Sequence, residues 1–264
     1  MTEAKKEKKQ DEALSVSQTG QALPPISLPK DEKALAELLK PAPGTEEVSS
    51  EDVIMPRIRL LQDQSIEVKA KEQESGLLKN SITGEIFTTF DFIPLTMHKS
   101  RTMFDVDNRM GAPLCRSNDT KIGSDGSKCA ECSNAQWKEG KPPVCNMIFN
   151  YLVIQPKEIG IMFLPNILSF MKTSAQSALK INVSVECTLP RQPFWNKVWR
   201  VTPKLKPFKR GPAYILEVQQ LRDTTADERM WAELVYRNTI GKKIDLTADD
   251  MPTDDLNIND LEGA

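Results

Sequence analysis

Histidine is nearly absent from this chain: His98 is the only one in 264 residues. A Ser-His-Asp or Cys-His catalytic set would have to be built on that one ring, and no nucleophile motif surrounds it. Phosphate-cradling and zinc-protease signatures are missing as well, with no G-x-x-x-x-G-K-[ST], no G-x-G-x-x-G and no H-E-x-x-H. The expectation is a protein that is not an enzyme; a carboxylate-metal nuclease is the alternative that the many Asp and Glu residues leave open. A run of about 18 apolar residues, the length a membrane helix needs, does not occur. The first residues, MTEAKKEKKQDEALS, are charged and lack the apolar stretch of a secretory signal. These absences point to a protein without membrane contact in a reducing cytoplasm, where clustered cysteines favour metal over disulfides.

Four of the five cysteines do cluster, as Cys115, Cys129, Cys132 and Cys145, in a stretch rich in Gly, Ser, Asn and Lys. A C-x2-C turn presents two thiolates to one ion, and the two flanking cysteines complete the four soft ligands of a closed zinc site. The spacing is less regular than that of paired knuckles, so free thiols or disulfides stay open as alternatives. His98 could replace Cys115 or Cys145 as a ligand. Cys187 lies outside the cluster and reads as a small buried thiol.

Net charge is only -2, but its distribution is uneven. Residues 1–55 carry 7 Lys/Arg and 11 Asp/Glu, and residues 244–264 carry no basic residue and 7 acidic ones. The body between them holds 28 basic and 19 acidic residues, the asymmetry that accompanies a polyanion-binding core or, more simply, a basic domain with solvated ends. Residues 1–52 read as disordered, because Lys, Glu, Gln and Pro cannot bury enough surface to offset ordering entropy. A short helix, DEKALAELLK, interrupts this region and ends at Pro41. Residues 242–264 read as an acidic disordered tail that could recruit protein partners.

Between these ends the chain reads as mainly β with minor α. Alternation predicts strands at 56–61 and 65–71, then more through 81–95 and 97–104. After the cysteine stretch, NMIFNYLVI (146–154) has apolar residues on both faces, and IGIMFL (159–164) could pair with it. The region 105–145 is thus a long insertion between strands, of a length usually functional or disordered. A small-residue helix is expected over 168–181. Two strands, WNKVWRV (195–201) and YILEVQQL (214–221), flank a basic loop TPKLKPFKRGP. Thr225 and Glu228 form a capping box that opens a second helix, ending near Gly241.

The second candidate site is aromatic and basic residues on strands. Single strands of nucleic acid are held by a cationic groove along the phosphates and by bases stacked on aromatic rings. Trp195, Trp199 and Tyr214 stand beside Lys197, Arg200, Lys204, Lys206, Lys209 and Arg210, with Phe149 and Tyr151 on another strand. Each ring alone is more often core than platform. Strand alternation puts Trp195, Lys197 and Trp199 on one face, which makes that triplet the preferred platform.

Stretches such as MPRIRLLQDQSIEV, NSITGE, FMKTSAQSALK and the W-x3-W strand with its basic loop resemble those of phage replication or recombination proteins. The layout over residues 53–264 resembles the bacteriophage single-stranded DNA-binding proteins, including the helix-destabilising proteins of T4-like phages. That resemblance implies an oligonucleotide/oligosaccharide-binding (OB) barrel over 53–241, an inserted zinc loop at 105–145, two helices and disordered termini. It also implies sequence-tolerant binding of single-stranded DNA, or of RNA, in replication, recombination or repair, with Zn2+ as cofactor and replication proteins met by the tail. The T4-type site uses one histidine among its ligands, whereas four cysteines stand here. The alternative from another class is a zinc-ribbon adaptor in transcription or assembly.

Overall fold

The computed structural model describes residues 43–45, 47–48, 53–105, 113–160, 164–208 and 211–240. The expected helix at 31–40, the acidic tail and Gly241 lie outside them. The strands are β1 (Arg57–Leu60), β2 (Leu78–Asn80), β3 (Ile86–Phe87), β4 (Phe90–Met103), β5 (Cys115–Ser117), β6 (Asn146–Ile154), β7 (Asn166–Met171), β8 (Lys197–Lys206) and β9 (Ala213–Asp223). Three helices join them: α1 (Ile66–Lys69), α2 (Ala175–Glu186) and α3 (Ala226–Thr239). The sheet order is β3-β2-β1-β7-β6-β4-β8-β9, with β5 added to β4. Every pairing is antiparallel except that of β1 with β7.

β4 organises this sheet into a curled half-barrel. Its first residues, Phe90 to Phe92, pair with β8, whereas Ile93 to Thr102 pair with β6. A bulge between Pro94 and Thr96 separates the two halves. A bulge bends its strand and sharpens the twist. One long strand can therefore turn the corner between two pairs of neighbours. The aromatic run F-D-F fits this role, because Phe90 and Phe92 are both fully buried inside the curl.

Two apolar layers result. One face of the strands supplies Phe92, Tyr151, Leu168, Phe170, Trp199 and Val201, closed by Ala178 and Ile181 of α2. The opposite face supplies Ile93, Leu95, Leu152, Ile154, Ile167 and Val198, covered by Trp231, Leu234 and Val235 of α3. The two-faced apolar pattern of β6 is the sequence trace of this double coverage. α3 starts as its sequence predicts. The Glu228 N–H donates to Thr225 Oγ1 at 3.2 Å, and the Thr225 N–H donates to Glu228 Oε2 at 2.7 Å.

The far edge, β9, is held by side chains. Gln62 Nε2 donates to the Tyr214 carbonyl at 2.7 Å, and the Tyr214 N–H donates to Gln62 Oε1 at 3.1 Å. Two residues on, the Leu216 N–H donates to Ser174 Oγ at 3.0 Å while Ser177 Oγ donates to the Leu216 carbonyl at 2.7 Å. A glutamine amide and two serine hydroxyls thus take the place of a neighbouring strand, and these backbone groups are not left open for another chain.

Several expectations are corrected. Within the strand expected at 65–71, Ile66–Lys69 form the one-turn helix α1, since so short an alternating run fits either period. The partner of β6 is β7 and not 159–164, of which residues 161–163 lie outside the described set. The helix expected over 168–181 divides. Leu168 and Met171 belong to β7, Lys172 takes φ 47, and α2 begins only at Ala175. Cys187 is exposed just beyond α2 and is not a buried thiol. The basic segment after Val201 is also only partly loop, because β8 continues to Lys206. Pro203 is tolerated there because Leu216, its register partner, turns its own N–H and carbonyl outward to Ser174, just before α2, and Ser177 of α2, so no ladder bond is lost.

Candidate functional site

The cysteine stretch between β4 and β6 has its own backbone order. β5 adds to β4 with Cys115 opposite Met103. The Cys129 N–H donates to the Lys121 carbonyl at 2.8 Å, and the Cys145 N–H donates to the Asn134 carbonyl at 2.8 Å. Arg101 of β4 ties the stretch down, its Nη1 lying 3.5 Å from the Ala135 carbonyl and 3.4 Å from that of Cys145. At Gly123 an added Cβ would stand 2.8 Å from Cys115 Sγ and 2.6 Å from Asp125 Oδ1, so both side chains would have to shift.

All four clustered cysteines are free thiols; Cys129 and Cys145 are buried, Cys115 and Cys132 half-buried. Burial pushes the Cys145 thiol up to about 11, with Arg101 acting against the rise and the Cys115 and Cys129 sulfurs adding to it. The Cys115 and Cys129 sulfurs therefore each lie within electrostatic reach of Cys145. Among the described residues, no group of three or more His, Cys, Asp or Glu side chains is gathered closely enough to hold a metal ion. His98 sits exposed on β4, in register with Asn150.

One residue of this stretch escaped the sequence reading. Trp137 is 64% exposed. It precedes a tight hairpin in which the Lys138 N–H donates to the Lys141 carbonyl at 3.2 Å and the Lys141 N–H returns to the Lys138 carbonyl at 2.8 Å. Glu139 and Gly140 between them take φ 52 and φ 76, the left-handed pair of a two-residue hairpin turn. The signal was present as W-K-E-G-K, but a turn read for punctuation alone gives no hint that its tryptophan is uncovered.

The expected aromatic platform is not formed. Trp195 lies in a 3-10 turn before β8, its ring 4.8 Å from that of Tyr236 on α3. That turn, ahead of the strand pleat, sends Trp195 to the layer covered by α3, whereas Trp199 faces the layer closed by α2, so the two rings do not share a face. Trp199 is 5% exposed, Tyr151 0% and Phe149 9%. The Tyr151 hydroxyl lies 2.7 Å from Asn182 Oδ1 of α2, and Lys99 Nζ lies 5.7 Å above the Phe149 ring. Tyr214 is half-buried and passes over Gly76, where an added Cβ would meet the ring at 2.3 Å.

The basic residues are partly engaged. Lys197 Nζ lies 2.5 Å from Asp223, and the Arg200 guanidinium holds Asp91 through two bonds of 2.6 and 2.8 Å. Lys204 and Lys206, both exposed, each meet a Glu217 carboxylate oxygen at 2.8 Å. Hydrogen bonds from these two ammonium groups, Lys204 first, hold the Glu217 carboxyl down to about 2. Lys209 and Arg210 lie outside the described residues. Among the described residues no helix is long and apolar enough to cross a membrane.

No curated protein and no solved structure matches the chain. A family model does match, over residues 30–244, which takes in every strand and helix above and agrees with the expected bacteriophage source: the chain belongs to the Pam3 phage gp34-like family.

Proposed function

We propose that this protein binds single-stranded DNA through an OB-like half-barrel, in phage DNA replication, recombination or repair. One observation carries the reading. Strands β7-β6-β4-β8-β9 are adjacent in that order, the long bulged β4 serves two partners, and α2 lies between β7 and β8. In chain order these would be strands three, two, one, four and five of an OB barrel. Ligands of that fold lie against its second and third strands and between the loops that join strands one to two and four to five. Here those loops are the cysteine stretch between β4 and β6 and the basic connection between β8 and β9. The two segments singled out by composition thus fall at the two connections that this plan uses.

The departure from a simple barrel is β1, which pairs in parallel with β7 on the edge where strand five would close the ring. Gln62, just after β1, spans the remaining gap to β9. Zn2+ is part of the proposal, held by Cys115, Cys129, Cys132 and Cys145. The support is the donor set: four free thiols, two of them in a C-x2-C turn, with Cys145 electrostatically coupled to Cys115 and Cys129. Such an ion would brace the loop and take no part in chemistry.

Lys204 and Lys206 are the phosphate contacts favoured by exposure. Titrating a labelled oligonucleotide at several salt concentrations tests the reading. Affinity is expected to fall with salt at about 0.7 log units per contacted phosphate for each log unit of salt. Absence of binding at low salt would overturn it.

A further inference from the structure

We infer that Trp137, at the base of the hairpin in the cysteine stretch, is a base-stacking contact for single-stranded nucleic acid; this inference rests on the reading above. The chain has four tryptophans. Trp199 and Trp231 are buried in the two apolar layers, and Trp195 packs on Tyr236. Trp137 has no such role, with 64% of its surface in water. An indole left uncovered gives up the burial that stabilises the other three. A flexible loop could fold it away, but this hairpin is fixed at both ends. Ala135 is buried two residues before it and held through its carbonyl by Arg101, and the Cys145 N–H is bonded to Asn134. Gln136 Nε2 donates to the Ala130 carbonyl at 2.9 Å, which fixes the residue beside the indole as well. The ring is therefore presented on an ordered support, which lowers the entropy cost of a contact made there.

The charge around it names the class of ligand. Lys138 and Lys141 are register partners across the hairpin, so their side chains leave from the same face. Like charges in that arrangement repel, and neither lysine makes a salt bridge among the described residues. An anionic chain crossing the tip would relieve the repulsion. Trp137 and Lys138 are adjacent, with Cα atoms about 3.8 Å apart, so a strand of nucleic acid lying along this hairpin can meet the indole with a base and the lysines with its phosphates. A ring for the base and two cations for the phosphates are what a sequence-tolerant single-strand site requires.

The test uses the full-length protein and a fluorescein-labelled oligothymidylate, read by anisotropy at several salt concentrations, beside the intrinsic tryptophan emission. Trp137→Ala is expected to bind about 5- to 150-fold more weakly, with an unchanged salt slope, since a neutral ring removes no counterion release. Trp137→Tyr should recover most of the loss, and Lys138→Ala with Lys141→Ala should flatten the salt slope. Quenching of tryptophan emission by the oligonucleotide should largely vanish in Trp137→Ala. An equal affinity and full quenching in Trp137→Ala, with wild type binding well, overturns this inference and leaves the single-strand reading standing. If the wild type itself does not bind at low salt, the single-strand reading falls and takes this inference with it.

Discussion

Trp199 and Glu217 show how one residue's surroundings decide what its substitution can report. Trp199 is buried in the layer closed by α2, beside Phe92 and Val201. Trp199→Ala should therefore destabilise the fold by about 3–5 kcal/mol, seen as a lower denaturation midpoint, whatever it does to ligand affinity. Glu217 is the opposite case, a half-exposed carboxylate between Lys204 and Lys206. Its depressed value means that its contribution to stability is present above the usual carboxylate range and is lost as pH falls toward about 2. Exposed pairs contribute little to stability, so the larger consequence is for binding. Glu217→Gln frees both ammonium groups. It should tighten oligonucleotide binding at low salt and steepen the salt slope by up to about 1.4, at about 0.7 for each new phosphate contact. Binding isotherms over a salt series would show it, and an unchanged slope would mean that neither lysine meets phosphate.

The cysteine stretch is the element on which the zinc proposal is tested. Its backbone bonds and the Arg101 tether give it order, and its four free thiols are the donor set that the zinc proposal rests on. On the zinc proposal, metal analysis of the native protein should find one ion per chain. Chelation should lower the melting temperature by several degrees before it removes oligonucleotide binding, because the ion braces one loop while the sheet and both apolar layers remain. Equal melting curves with and without chelator would show that the hydrogen bonds alone hold the loop. α2 works differently, as a plug and an edge cover. Ala178 and Ile181 close one apolar layer while Ser174 and Ser177 satisfy the outward backbone of β9.

At the scale of the whole molecule, the chain is a mainly β half-barrel of the Pam3 phage gp34-like family with helices over its two apolar faces. Much of this was legible locally. The strands β1, β4, β6 and β9 follow from alternation and β-branched or aromatic residues, and the start of α3 follows from the T-A-D-E box, because these signals act over a few neighbouring residues. Misreadings arose where one stretch serves two structures, as at 168–181, where strand and helix meet at Lys172. They arose also where a 3-10 turn stands ahead of a strand, as at 194–196, so that Trp195 does not follow the pleat of β8. By itself the sequence determined a four-cysteine insertion between strands, a basic body with acidic ends and no familiar catalytic set, since residue types and spacings carry that information directly. Only the tertiary structure decided which rings are sealed in the core, that Glu217 neutralises the very lysines chosen as contacts, and that Trp137 stands uncovered. Burial and ion pairing depend on which strands become neighbours and in what register, as β8 and β9 do for Lys204 and Glu217, and residue types along one stretch do not state that.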